Sequence, residues 1–288
     1  MQYKRLSWSI ESSPQKPGDN AIGILTLNDP KASNAVGPRM ALELDAMIDE
    51  IRHSEVRVVV ITGAGGIFCG GGNLKVETLP MEKPDDRLGL DDNEYGDLLL
   101  WWLNDHFHHL AQRACRKLED LPQTTIAAMD GITVGVGLEM AISCDLRLCS
   151  DRVKMAELAI PAGFMSEWGA PRNLPKLIGL TRATELILTG RFVEAKEAVE
   201  IGLVNRAVAP ERLMAEARDM AGRIAQMPKL GVRYAKEMLR HYNQHNRSQE
   251  GLDAEMARVL EITRTRECAE GIAAFNERRR PQWMENLR

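Results

Sequence analysis

TTIAAMDGITVGVGLEMAISCDLRLCS, residues 124–150, changes character several times within one short span. A short apolar run ends at Asp130-Gly131, Gly135 and Gly137 interrupt the next stretch, and an apolar segment then contains Glu139. Short apolar runs bounded by glycine and aspartate read as buried strands, which gives the order strand, glycine loop, short apolar helix, strand. Glu139 is the anomaly in that reading. A carboxylate inside a buried apolar segment is costly to desolvate, so its presence asks for a reason.

The same logic appears upstream in VRVVVITGAGGIFCGGGNLK (56–75), where a β-branched run opens into a loop holding glycines 63, 65, 66, 70, 71 and 72. Such a loop lets backbone approach a ligand closely. Before it, AIGILTLND (21–29) reads as a strand, and ALELDAMIDEIRHSE (41–55) spaces Leu42, Leu44, Met47, Ile48 and Ile51 as one face of a helix. Two ββα-like units therefore stand in series. Between them, PMEKPDDRLGLDDNEYGD (80–97) is acidic and turn-rich and reads as a surface excursion or lid. Residues 98–121, LLLWWLNDHFHHLAQRACRKLEDL, form a helix with apolar groups on more than one face. From Glu211 onward the pattern is helical. The chain thus divides into a mixed α/β core, residues 1–210, and a helical region, residues 211–288.

Composition narrows the function. The 288 residues carry a formal net charge of -4, which gives no general attraction to nucleic acid or to an anionic membrane. The first twenty residues lack the apolar core of a signal peptide, and no window reaches the ~18 uninterrupted apolar residues of a membrane span. Five cysteines with no CxxC spacing signal neither a disulfide framework nor a zinc site, and point to reduced thiols in the cytosol. His106 and His109 lie one helical turn apart without a convincing third ligand, so no metal is expected. Cys69 sits in a glycine loop without a histidine partner and reads as wall or core.

Two glycine loops, each after a strand and before a helix, can aim backbone N–H groups at one anionic oxygen. A phosphate cradle is the rival reading, but neither a complete GxxxxGK[ST] nor a GxGxxG occurs. The segments FCGGGNLK (68–75), TIAAMDGITVGVGLEMAISCDLRLCS (125–150), LPKLIGLTRATELILTGR (174–191), AKEAVEIGLVNRAV (195–208) and EGIAAFNERRRPQW (270–283) resemble the crotonase (enoyl-CoA hydratase/isomerase) superfamily, in consistent order from about residue 20 onward. The resemblance implies an α/β fold, a spiral of ββα units with a C-terminal helical oligomerisation region, assembled as a homotrimer or a dimer of trimers. It implies an acyl-CoA substrate whose thioester carbonyl lies between two backbone N–H donors, at Gly72 and Val136 here. Val136 departs from the glycine usual in the family; a backbone donor survives any side chain, while a β-branched one narrows the space above it.

Polarising a thioester carbonyl acidifies its α-hydrogens, and a nearby carboxylate then moves the proton. The resemblance places Glu139 at one family glutamate. The second hydratase glutamate falls on Ala159 in MAELAIPAG (155–163), with Glu157 two residues away. Glu167, in GFMSEWGAPRNLPKLIG, falls where family members that move double bonds carry an acid. Glu139 and Glu167 together thus suit an isomerase. The plainer alternatives are that Glu139 braces a helix and that Glu167 is a loop carboxylate paired with Arg172. By the same resemblance Lys31, Ala35, Phe275 and Arg279 are candidates for coenzyme A, with the arginine run 278–280 reaching a neighbour's phosphates. Trp101, Trp102 and Trp168 are candidates for the acyl pocket or for core. Beyond coenzyme A as part of the substrate, no cofactor is implied. Open alternatives are a hydratase, a C–C or thioester hydrolase, and a non-catalytic RNA-binding or structural relative.

Overall fold

A computed structural model describes residues 3–14, 18, 21–73, 108–227, 229–242, 260 and 266–279. Trp101, Trp102, His106 and the acidic stretch 80–97 lie outside the described residues.

The β-branched run Val58–Gly63 is β3, the centre of a six-stranded sheet. Its order is β1 (Leu6–Glu11), β2 (Ile22–Leu27), β3, β4 (Thr124–Met129), β6 (Leu146–Ser150) and β9 (Arg206–Val208). Only β1 runs antiparallel to its neighbour; every other pair is parallel. Parallel strands need cover on both faces, which is why β4 is buried at all six positions and β3 at its first four. On one face Val59, Ile61, Ala127 and Met129 meet α1 (Pro38–Arg52), through Met40, Leu44 and Met47, and α2 (His108–Glu119). On the other, Ile24, Val58, Val60, Ile126 and Leu148 meet Leu213, Ala217, Ala221 and Ala225.

Those last four belong to α7 (Leu213–Gln226), and its alanines at helical spacing let it approach the sheet closely. The first helix of the 211–288 region is therefore a layer of the core. The next, α8 (Lys229–Tyr242), is pinned through Asp145, whose carboxylate accepts the Thr125 N–H at 2.8 Å, Lys236 Nζ at 2.7 Å and Arg240 Nη2 at 2.5 Å.

A smaller sheet pairs β5 (Ile132–Val134) with β7 (Lys154–Ala156) and β8 (Val193–Glu194). Around it lie α3 (Val136–Ser143), α4 (Ala170–Ile178), α5 (Leu180–Thr189) and α6 (Ala195–Glu200). The helix α9 (Arg266–Asn276) crosses the loop after β7: Gly271 packs directly on the Ala162 carbonyl, where no side chain fits. No described helix is long and apolar enough to cross a membrane.

Candidate active site

The two glycine loops leave the carboxyl ends of β3 and β5, one strand from each sheet. The first runs beside β5 like an extra strand. Phe68 N–H donates to Asp130 O at 2.7 Å, Cys69 N–H to Ile132 O at 3.0 Å, and Val134 N–H to Cys69 O at 3.0 Å. On its other side Val36 N–H donates to Gly71 O at 2.8 Å and Asn73 N–H to Val36 O at 3.0 Å. Pairing through residues 71 and 73 turns the amide of Gly72 itself away from Val36. Gly72 also borders the second loop: the place a Cβ would occupy on it lies 3.9 Å from Val136 Cγ2.

Gly135 adopts φ 50 and ψ -122, a conformation open to glycine, and this bend starts α3 at Val136. The Val136 amide is thus in the first turn of a helix, where N–H groups lack intrahelical partners and the helix dipole favours negative charge. Gly72 and Val136, 64 positions apart by number, are brought side by side. The structure thus makes the two glycine loops neighbours at these residues.

Glu139 lies one turn along α3 from Val136 and is 2 % exposed. Its Oε1 accepts the N–H of Trp168 at 3.0 Å and of Ala170 at 3.1 Å. Between them Gly169 takes φ 116, which lets both amides converge on a single carboxylate oxygen. Glu139 therefore caps α4, a helix distant in sequence from its own. The two amides hold this buried carboxylate in one orientation.

The Trp168 amide follows Glu167, so the Glu167 backbone lies directly against the Glu139 carboxylate. The Glu167 side chain is felt by α9: burial first, then the Glu167 charge, pushes the Cys268 thiol up to about 12. Arg172 does not pair with Glu167. Its Nη2 donates to Glu119 Oε1 at 2.7 Å, because α4 turns the Arg172 side chain toward the end of α2. Ala159 sits in the turn after β7, its carbonyl accepting Phe164 N–H at 2.8 Å. Two residues earlier, Glu157 is 1 % exposed.

The remaining candidates are dispersed. Lys31 is exposed and Ala35 half-buried in the 29–37 loop, which is tied to the first glycine loop through Gly70 N–H to Ser33 O at 2.8 Å. Trp168 is 1 % exposed, inside the main core. Phe275 is 53 % exposed on α9. Arg279 is engaged by carboxylates of its own helix end, Glu270 at 2.9 Å and Glu277 at 2.6 Å. Cys69 is fully buried and burial pushes its thiol up to about 12, so it is wall and not nucleophile. Sequence reading missed Glu119, Asn34 and Asp145. Asn34, 0 % exposed with φ 54, donates to Ala64 O and Ile67 O at 2.9 and 2.7 Å and so holds the first glycine loop.

Comparison with known proteins decides the family. The enoyl-CoA hydratase/isomerase family model matches residues 18–286. The chain belongs to that family. It is an enzyme of the crotonase superfamily, and its α/β architecture is the one seen in solved members. Bacillus subtilis YngF, provisionally named an enoyl-CoA hydratase/isomerase, is 34% identical over 269 residues, covering 90% of this chain and 93% of its own. The short-chain-enoyl-CoA hydratase of Clostridium acetobutylicum is 30% identical over 276 residues, covering 93% and 96%. The crystal structure of an enoyl-CoA hydratase/isomerase from Pseudoalteromonas atlantica T6c superposes with a TM-score of 0.76 at 25% identity, covering 97% of this chain and 99% of that one.

Proposed function

We propose that this family member shifts a double bond in an enoyl-CoA thioester, holding the enolate with the Gly72 and Val136 amides and moving protons with Glu139 and Glu167. The supporting observation is the convergence of the two glycine loops with Glu139 one turn beyond the second. Two aimed amides stabilise the oxyanion, and losing one such donor costs about 10²–10³ in rate. Glu139 is the base; a carboxylate in that role contributes about 10²–10⁴. Glu167, adjoining it in the loop before α4, acts as the acid: it delivers its own proton further along the acyl chain, and the proton taken by Glu139 passes to it to reset the pair. Lys31, Ala35, Phe275 and Arg279 contact coenzyme A, which enters as part of the substrate and not as a resident cofactor, and Trp168 backs the acyl pocket. The assembly is a homotrimer or dimer of trimers in the cytosol, where the five buried free thiols stay reduced.

The test is proton exchange in D₂O, followed by mass spectrometry, for wild type, Glu139→Gln and Glu167→Gln. Deuterium entering the α or γ carbon, and lost in either variant, supports the reading; absence of exchange across acyl chain lengths overturns it. The name of the Clostridium relative favours a second reading, water addition directed by Glu139. Heavy-oxygen water separates the two, because only hydration leaves solvent oxygen in the product.

A further inference from the structure

Behind the segment that carries Glu167 and holds Glu139 lies a third carboxylate. Glu119 ends α2 and is 3 % exposed. Its Oε1 accepts Arg172 Nη2 and Asn173 Nδ2, each at 2.7 Å. Both donors stand in the first turn of α4, and their backbone N–H groups also reach Gly169 O, at 3.2 and 2.9 Å. That same turn supplies the Ala170 amide, which with the Trp168 amide holds Glu139. One short segment is thus gripped by Glu119 through side chains and itself grips Glu139 through its backbone. Cys115, one turn before Glu119 on α2, registers both carboxylates: burial first, then Glu139, then Glu119, push its thiol well above the ordinary range.

We propose that Glu119 is a positioning residue for the reaction, fixing through Arg172 and Asn173 the amides that aim Glu139. This rests on the reading of Glu139 as the base. Helix ends fray, and the first turn of a nine-residue helix opening at a glycine is a weak place to mount an amide pair. A buried charge-assisted contact from guanidinium and carboxamide to one carboxylate oxygen removes that freedom. Misplacing a reacting group by about 1 Å costs up to about 10²-fold in rate, so the clamp matters to turnover without touching substrate.

The experiment uses the full chain with Glu119→Gln, Arg172→Lys, Glu139→Gln and the Glu119→Gln/Glu139→Gln pair. It reads kcat and KM on an enoyl-CoA, thermal melting, and amide hydrogen exchange of the peptide containing 168–173. The expected result is a drop in kcat of about 10–100-fold in Glu119→Gln with KM within about threefold. Exchange at 168–173 quickens, and adding Glu119→Gln to Glu139→Gln costs no further turnover, since both act through one group. Arg172→Lys keeps the charge, replaces the guanidinium donor to Glu119 with a shorter-reaching ammonium, and shows the same pattern in smaller measure. Unchanged exchange at 168–173 in both Glu119→Gln and Arg172→Lys overturns the clamp. A further loss in the double variant equal to that in the single one overturns the route through Glu139. Wild-type turnover in Glu139→Gln, or none in wild type on any acyl-CoA, instead removes the reading of the reaction, and the exchange data still report on the clamp separately.

Discussion

Gly137→Ala puts the pairing of the two glycine loops to a test in which local propensity and packing predict opposite signs. Gly137 is the second residue of α3, and exchanging glycine for alanine inside a helix ordinarily stabilises by about 1 kcal/mol. Here the new Cβ would stand 2.6 Å from Cys69 Cβ and 2.7 Å from Cys69 O. Carbon atoms in contact sit about 3.5–4.0 Å apart, so the loops have to part by about 1 Å. Cys69 cannot yield cheaply, being fully buried and hydrogen-bonded to β5 at both Ile132 and Val134. Overpacking of this kind costs about 1–3 kcal/mol, which outweighs the propensity gain and leaves a net loss of about 1 kcal/mol. Melting should fall by about 2–4 °C. Parting the loops also separates the Gly72 and Val136 amides, and losing one oxyanion donor lowers turnover by about 10²–10³. Differential scanning calorimetry and deuterium exchange into an acyl-CoA read the two effects. A variant that melts at or above wild type and exchanges within threefold of it refutes the loop pairing on which the site is built.

Asn34→Ala should destabilise by about 2–4 kcal/mol in chemical denaturation, because it strands the Ala64 and Ile67 carbonyls and the Asp29 N–H at a buried site. Alkylation at pH 8 should label no cysteine in the native protein and all five after unfolding, since all are buried. Burial pushes the Cys69, Cys144, Cys149 and Cys268 thiols up to about 12. Acid should weaken the dock of α8: burial alone would raise Asp145, but Lys236 and Arg240 carry its carboxyl below the ordinary value of 3.8. A carboxyl depressed in the folded state stabilises above its unfolded value and loses that contribution as pH falls. Melting temperature should therefore drop as pH falls below about 4, with a shallower slope in Asp145→Asn.

The elements with strong local patterns are legible in the sequence alone. Val58–Gly63, the glycines of 63–72 and the strand–glycine–helix order of 124–150 come from residue type and spacing, since β-branched runs and glycine clusters have few other uses. The first strand, Leu6–Glu11, is not, because a half-exposed edge strand carries only a weak alternation. The layering of α7 on the sheet is hidden for a related reason: Ala217 and Ala221 pack closely because they are small, and smallness is not a strong periodic signal. Partners are the least legible. Which group meets Arg172, and what desolvates Glu139 at tolerable cost, depend on residues 53 and 29–31 positions away that only the folded chain brings together. The anomaly of Glu139 is visible in the sequence; its solution, the amides of another helix, is not.

The packing of α9 across Ala162 carries a consequence for how this protein comes into being. Synthesis runs from β1 toward α9, so the sheet, both glycine loops and the Glu167 segment are all made before α9, which packs on the turn at Ala162. Until Gly271 reaches the Ala162 carbonyl and Cys268 comes within the field of Glu167, that segment lacks its outer wall. The nascent chain can hold a formed sheet while the candidate site is still open to water on this side.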